Sequence, residues 1–178
     1  IFWIIISNMA SKKNTRLRFI KEGIRNFRSV GSVSRSSPFV CRSMTRLIPR
    51  LKNGIILEFG AGDGVITEEI LRQMSPDDRL LVFEIHPEFC DQLRKIKDTR
   101  MTVYEESAEN ASQILATLGL EQADLIISAI PFLLFPKQDA LRLIGAFRNI
   151  LRPGGRYIQL HYSLNLKEQY EEIFDEVQ

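Results

Sequence analysis

The sequence predicts an α/β domain built on a mostly parallel sheet with helices on both faces. Three observations carry this: five short apolar runs of strand length, segments of helical periodicity between them, and a glycine cluster where the first run ends. The runs are Ile55 to Phe59, Leu80 to Ile85, Met101 to Tyr104, Leu125 to Ile130 and Tyr157 to Leu160. The helical segments between them are Val65 to Met74, Glu88 to Ile96, Ala108 to Leu118 and Lys137 to Leu151. Strands that alternate with helices need right-handed crossovers, and these produce a parallel sheet covered on both sides.

With 178 residues, of which 44% are hydrophobic, the chain has enough apolar material for one core and neither repeats nor low-complexity tracts. Two cysteines, Cys41 and Cys90, have no metal-ligand spacing and are too few for a disulfide scaffold, which points to a reducing compartment. The net charge of +2 conceals a division. Residues 1–53 hold twelve Lys or Arg against the single acid Glu22, a charge of +11, whereas residues 54–178 hold twelve against twenty-one, a charge of −9. Such a basic segment seeks an anionic surface, either membrane or nucleic acid. Three regions follow: 1–11 as a tail or artefact without assigned role, 12–53 as basic amphipathic helices, and 54–178 as the α/β domain. The apolar start, Ile1 to Ser7, is too short to cross a bilayer, which takes about 20 such residues, and lacks the pattern of a signal peptide.

In "LEFGAGDGVITEEI", Gly60, Gly62 and Gly64 let the chain turn sharply after the first strand and let a ligand approach the backbone. Turns of this kind serve dinucleotides, phosphates and S-adenosylmethionine, and some serve only packing. Here Glu58 ends the strand, the spacing is G-x-G-x-G, and no P-loop lysine follows. These details favour S-adenosylmethionine. Glu84 closes the second strand 22 residues beyond Gly62, about the separation of a ribose-binding acid; a solvated strand-end carboxylate is the plainer alternative.

With this arrangement the chain resembles the class I S-adenosylmethionine-dependent methyltransferases, which are Rossmann-like. The resemblance implies that Glu58 orients the loop and the methionine end of the cofactor, and that Glu84 holds the ribose hydroxyls. It also places Ser107 and Ala108, in "YEESAEN", near the adenine, although the aspartate usual there is absent. After the fourth strand, "DLIISAIPFLLFP" puts Ser128, Pro131 and Phe132 where open α/β sheets bind substrate. Adenine amino methyltransferases carry an Asn or Asp where this chain has Ala129, which disfavours a nucleic-acid base as acceptor.

The whole set resembles bacterial phospholipid N-methyltransferases, which methylate phosphatidylethanolamine toward phosphatidylcholine, and more distantly the rRNA adenine dimethyltransferases. Ser128, Pro131 and Pro136 match the substrate loop, "GSVSRSSPFVCRSM" the segment ahead of the cofactor domain, and "PGGRYIQLHYSL" the fifth strand with Gln159 and Tyr162. The resemblance implies catalytic roles for Tyr162, Ser128 and Pro131: Tyr162 positions or deprotonates the amine, while Ser128 or the carbonyls beside Pro131 accept a hydrogen bond from it. Ser128 also belongs to the implied cofactor contacts. His161, on the opposite face of a strand from Tyr162, reads as structural. The resemblance implies a cytoplasmic protein on the inner face of the cell membrane, without a metal.

On a wheel from Arg16 to Val30, Leu17, Phe19, Ile20, Ile24, Phe27 and Val30 share one face, and Arg18, Lys21, Arg25 and Arg28 form an adjoining stripe. Such a helix is expected to lie in the plane of an anionic membrane, each cation adding roughly 1 kcal/mol, with packing of the apolar face on the protein and a solvated stripe as the plainer alternative. The segment lacks the aromatic platform that RNA binding favours. Ser37 before Pro38 reads as the cap of a second helix to about Arg50, and Ser36 or Ser37 could instead contact the cofactor or head group. The chain is expected to lack the last two strands of a seven-stranded sheet, since it stops at "YEEIFDEVQ". The competing expectations are an RNA or protein amino methyltransferase and a non-catalytic membrane-binding module.

Overall fold

The structure is a computed structural model that describes residues 45–160 and 167–177. The chain runs β1 (Ile55–Phe59), α1 (Val65–Gln73), β2 (Arg79–Phe83), α2 (Pro87–Leu93), β3 (Met101–Tyr104), a 3₁₀ turn (Ala108–Asn110), α3 (Ala111–Thr117), β4 (Ala123–Ser128), a second 3₁₀ turn (Phe132–Leu134), α4 (Lys137–Asn149), β5 (Leu151–Gln159) and α5 (Lys167–Ile173). The sheet has the order β3-β2-β1-β4-β5 and every pairing is parallel. This is the predicted Rossmann-like α/β architecture. The segment expected as N-terminal helices, with Arg18, Phe19, Lys21, Arg25, Phe27, Arg28, Ser36 and Ser37, lies outside the described residues, as do His161 and Tyr162.

Alternation along each strand divides the core between the two faces. Leu57, Phe59, Leu81, Phe83 and Ile126 pack with Leu115 of α3, Phe147 of α4 and Tyr170 of α5. Ile56, Leu80, Val82 and Ile127 pack on the other face with Ile66 and Ile70 of α1 and Leu93 of α2. β1 is buried along its whole length, as a central parallel strand requires. The order of connection reverses between β1 and β4, the place where such sheets bind ligands at their carboxyl ends.

Boundaries of β2, α2 and β4 shift by one to three residues from the sequence expectation, and three further differences have a local reason. The helix expected from Lys137 to Leu151 ends at Asn149, and Leu151 already pairs with Ala123 in a strand. β5 therefore starts six residues ahead of Tyr157 because a bulge absorbs Pro153-Gly154-Gly155: the register shifts between Ala123 and Leu125, and Gly154 takes φ 75°. The Asp124 carboxylate holds the bulge, 2.7 Å from Arg152 on one oxygen and accepting from Ile55 N–H at 2.7 Å on the other. The segment expected as one helix from Ala108 splits into a 3₁₀ turn and α3, with Ser107 capping the turn. The helix expected to reach Arg50 gives way to a turn directly after Thr45, since the residue before Pro49 is disfavoured in helical conformation.

Arg100 secures the end of α1. Its guanidinium donates to the carbonyls of Leu71 at 2.9 Å, Met74 at 3.1 Å and Ser75 at 3.4 Å, and Asp98 orients it through a bond of 2.6 Å. Hydrogen bonding to Arg100 holds the Asp98 carboxyl below its ordinary pKa. Arg100→Ala is expected to lower stability by about 1–2 kcal/mol in urea unfolding while leaving cofactor affinity unchanged. An unchanged unfolding midpoint would remove the capping role.

Candidate active site

The carboxyl ends of the strands form a continuous row of loop starts. Main-chain bonds extend the sheet one residue past each strand: Glu84 N–H to the Tyr104 carbonyl at 3.1 Å, Gly60 to Phe83 at 2.9 Å, Ala129 to Phe59 at 2.9 Å and Leu160 to Ser128 at 2.8 Å. The loops that follow start from fixed positions.

The glycine loop needs glycine at each expected position. Gly60, Gly62 and Gly64 have φ of 73°, 59° and 85°, in the left-handed region that other residues avoid. A Cβ on Gly64 would also sit 3.1 Å from Leu93, and one on Gly60 would lie 3.5 Å from Ile130. The loop after β1 thus lies directly against the loop after β4.

Glu58 and Glu84 share the face covered by α1. Glu84, 2% exposed, accepts from Gly62 N–H at 2.8 Å through one oxygen and from Ile85 and His86 N–H at 2.8 and 3.0 Å through the other. It joins the end of β2 to the middle of the glycine loop. Glu58 differs: it is 1% exposed, and among the described residues neither carboxyl oxygen has a well-formed hydrogen bond. Thr67 Oγ1, on α1, is the side-chain hydrogen-bonding group that favours the carboxylate, at a contact looser than an ordinary hydrogen bond. Burial, opposed by Thr67 and assisted by the Glu84 charge, pushes the Glu58 carboxyl from 4.5 up to about 8. Among the described residues only Thr67 addresses this buried carboxyl, and a carboxyl so placed beneath a glycine turn suits a ligand with hydrogen-bond donors or positive charge.

The remaining expected residues divide between the two ends of the row. Ser107 and Ala108 follow β3; the Ser107 hydroxyl accepts from Glu109 N–H at 3.3 Å, and Ala108 is buried. Ser128 ends β4, fully buried, with its hydroxyl accepting from Ile130 N–H at 3.3 Å and lying beside the Tyr157 hydroxyl. Pro131 opens the 3₁₀ turn, and its carbonyl accepts from Leu134 N–H at 3.0 Å. Sequence reasoning did not assign Thr67 or Tyr157 to the site. Thr67 stands one turn into a helix, where a β-branched hydroxyl residue is a modest signal; Tyr157 carries no sequence signal, since its neighbours come from across the sheet.

Comparison with known proteins agrees with this geometry. A family model described as a methyltransferase domain matches residues 56–155. The chain is 33% identical over 163 residues to an ornithine lipid N-methyltransferase of Singulisphaera acidiphila, covering 90% of this chain and 83% of that protein. The chain belongs to the class I S-adenosylmethionine-dependent methyltransferases. Among solved structures, this methyltransferase is similar to the fibrillarin of Aeropyrum pernix with natively bound S-adenosylmethionine, with a TM-score of 0.57 at 16% identity, covering 77% of this chain and 63% of that one. It is also similar to the cyclopropane synthase MmaA2 of Mycobacterium tuberculosis, with a TM-score of 0.55 at 17% identity over 67% of this chain and 40% of that one. These two similarities show the fold. The cofactor of this methyltransferase is S-adenosylmethionine, and the unpaired Glu58 and the left-handed glycines fit it. Among the described residues no cluster of His, Cys, Asp or Glu could hold a metal, and no helix is long and apolar enough to cross a membrane.

Proposed function

We propose that this methyltransferase transfers methyl groups to the amine of a membrane lipid, with phosphatidylethanolamine and its methylated intermediates as acceptors. The observation that carries this reading is the 33% identity, over 90% of the chain, to a protein that methylates the amine of an ornithine lipid. Both lipids present a primary amine at the membrane surface. The N-terminal charge of +11 supports a surface reaction, with Arg18, Lys21, Arg25 and Arg28 meeting anionic head groups and Phe19 and Phe27 entering the interface. The protein then works on the inner face of the cell membrane and contributes to phosphatidylcholine formation.

The cofactor, when bound, supplies a methyl group already activated on a sulfonium. The protein's task is placement and exclusion of water. Glu58 would hold the methionine end, Gly60, Gly62 and Gly64 would admit the cofactor to the backbone, Glu84 would hold the ribose, and Ser107 and Ala108 would border the adenine. The acceptor amine is mostly ammonium at neutral pH and must lose a proton before attack. Tyr162 positions it or takes that proton, with Ser128 and Pro131 shaping the loop beside it.

The test is methyl transfer from labelled S-adenosylmethionine to vesicles containing an anionic lipid and either phosphatidylethanolamine or ornithine lipid. Labelled phosphatidylethanolamine is the expected product. Label only in ornithine lipid would narrow the acceptor to that head group, and label only in RNA or protein would replace the lipid reading.

A further inference from the structure

The loop after β4 is held by a side chain to which the cofactor site assigns no role. Gln159, at the end of β5, donates both hydrogens of its carboxamide: one to the Ile130 carbonyl at 3.0 Å and one to the Leu160 carbonyl at 2.9 Å. Its oxygen accepts from the Tyr157 hydroxyl. An amide with both donors and its acceptor engaged has one orientation, because a flip would set oxygen against two carbonyls. The Tyr157 hydroxyl is in turn beside Ser128 and Tyr170, and its ring stacks on Phe174 with centroids 5.2 Å apart. A network thus runs from α5 through β5 to the acceptor loop.

The clamp decides which main-chain carbonyls remain for an acceptor. The Ile130 carbonyl takes Gln159 and also Phe132 N–H at 2.9 Å, which engages both lone pairs. The carbonyls of Ser128, Pro131 and Phe132 accept from Leu160, Leu134 and Phe135 at 2.8, 3.0 and 3.0 Å. Among the described residues no hydrogen bond falls on the Ala129 carbonyl. Its carbonyl carbon lies 3.6 Å from where a Cβ on Gly60 would sit, at the border of the glycine loop.

We propose that Gln159 is the positioning residue of the acceptor loop, a carboxamide clamp, oriented by Tyr157, that engages the Ile130 carbonyl and leaves the Ala129 carbonyl to receive the acceptor's amine. The role given to the Ala129 carbonyl and the kinetic readout rest on the lipid-amine reading; the clamp on the loop does not. Gln159 touches neither cofactor nor amine; it acts through the loop.

The experiment compares the full chain with its Gln159→Leu, Gln159→Glu, Tyr157→Phe and Tyr157→Phe/Gln159→Leu variants by three measurements: the S-adenosylmethionine dissociation constant, steady-state methyl transfer to aminolipid vesicles, and hydrogen exchange of peptides covering 129–135. Gln159→Leu is expected to keep the dissociation constant within about twofold while kcat falls on the order of tenfold to a hundredfold, the scale of a displaced reacting group. Exchange should accelerate over 129–135 and not over 55–83. Gln159→Glu, which keeps the shape but cannot donate, should behave like Gln159→Leu. Tyr157→Phe, which frees the amide to flip, should lose less, and the double variant no more than Gln159→Leu alone. Unchanged exchange over 129–135 in Gln159→Leu, or acceleration spread equally over the sheet, would overturn the clamp. A wild-type chain that methylates no aminolipid would overturn the lipid reading instead, and exchange alone would then judge the clamp.

Discussion

Glu84→Ala is expected to weaken S-adenosylmethionine binding by on the order of a hundredfold and to lower the melting temperature by several degrees. The carboxylate serves three backbone donors at once: Gly62 in the glycine loop, and Ile85 and His86 at the end of β2. Alanine leaves these groups without their charged acceptor in a place that is 2% exposed, and an unmet buried donor costs about 1–3 kcal/mol. The bond to Gly62 matters most for function, because it fixes the middle of a loop whose left-handed glycines have no side chains of their own to hold them. Removing Glu84 also removes a like charge that raises the Glu58 pKa, which offsets part of the loss. Glu84→Gln, with a single acceptor oxygen, should fall between alanine and the wild type. Titration calorimetry with S-adenosylmethionine and thermal melts of the free protein check both halves. A dissociation constant equal to the wild type's would refute the role of Glu84 in the site.

The positions of Glu84 and the glycine loop were legible in the sequence, but the bond from Gly62 to Glu84 was not, since Glu84 read as a ribose ligand or a solvated acid; Gln159 shows why such contacts stay hidden. Glu58 and Glu84 end adjacent parallel strands, and the apolar runs that place those ends are unambiguous: β1 and β3 begin and end where the runs do. The glycines follow from the turn they must make. A strand boundary interrupted by Pro153-Gly154-Gly155 carries the opposite signal, because a bulge and a turn use the same residues. The Gln159 clamp reaches a carbonyl 29 residues earlier in the chain, and a main-chain carbonyl has no letter in the sequence. Its partner Tyr157 looks like any core aromatic residue until the register of β5 places its hydroxyl beside Ser128. The unpaired state of Glu58 was equally hidden, since an acid at a strand end is ordinarily solvated.

That unpaired carboxyl leads to the other large effect: Glu58→Gln is expected to stabilise the cofactor-free protein increasingly as pH rises. Burial holds the folded-state pKa at about 8 against 4.5, so between these values the folded chain binds a proton that the unfolded chain releases. Folding stability of the wild type therefore declines as pH rises from about 4.5 to about 8 and is level with respect to this group beyond. Glutamine has no such proton to lose. The variant's advantage should be small near pH 5 and grow to roughly 5–10 °C in melting temperature near pH 8.5, the scale of a few kcal/mol in a chain of this size. The amide can also form a full hydrogen bond with Thr67, which among the described residues makes only a loose contact with Glu58. Above about pH 8, where the Glu58 carboxyl is ionised, the same substitution also removes the negative charge that a cationic ligand end would meet, so S-adenosylmethionine affinity should fall there while stability rises. This opposition is the mark of a group kept for binding at the expense of the fold. Melting curves from pH 5 to 8.5, paired with cofactor titrations at each end, test it. A melting-temperature difference that stays constant across this range would mean that Glu58 is not protonated in the folded chain, and unchanged cofactor affinity would separate it from the site.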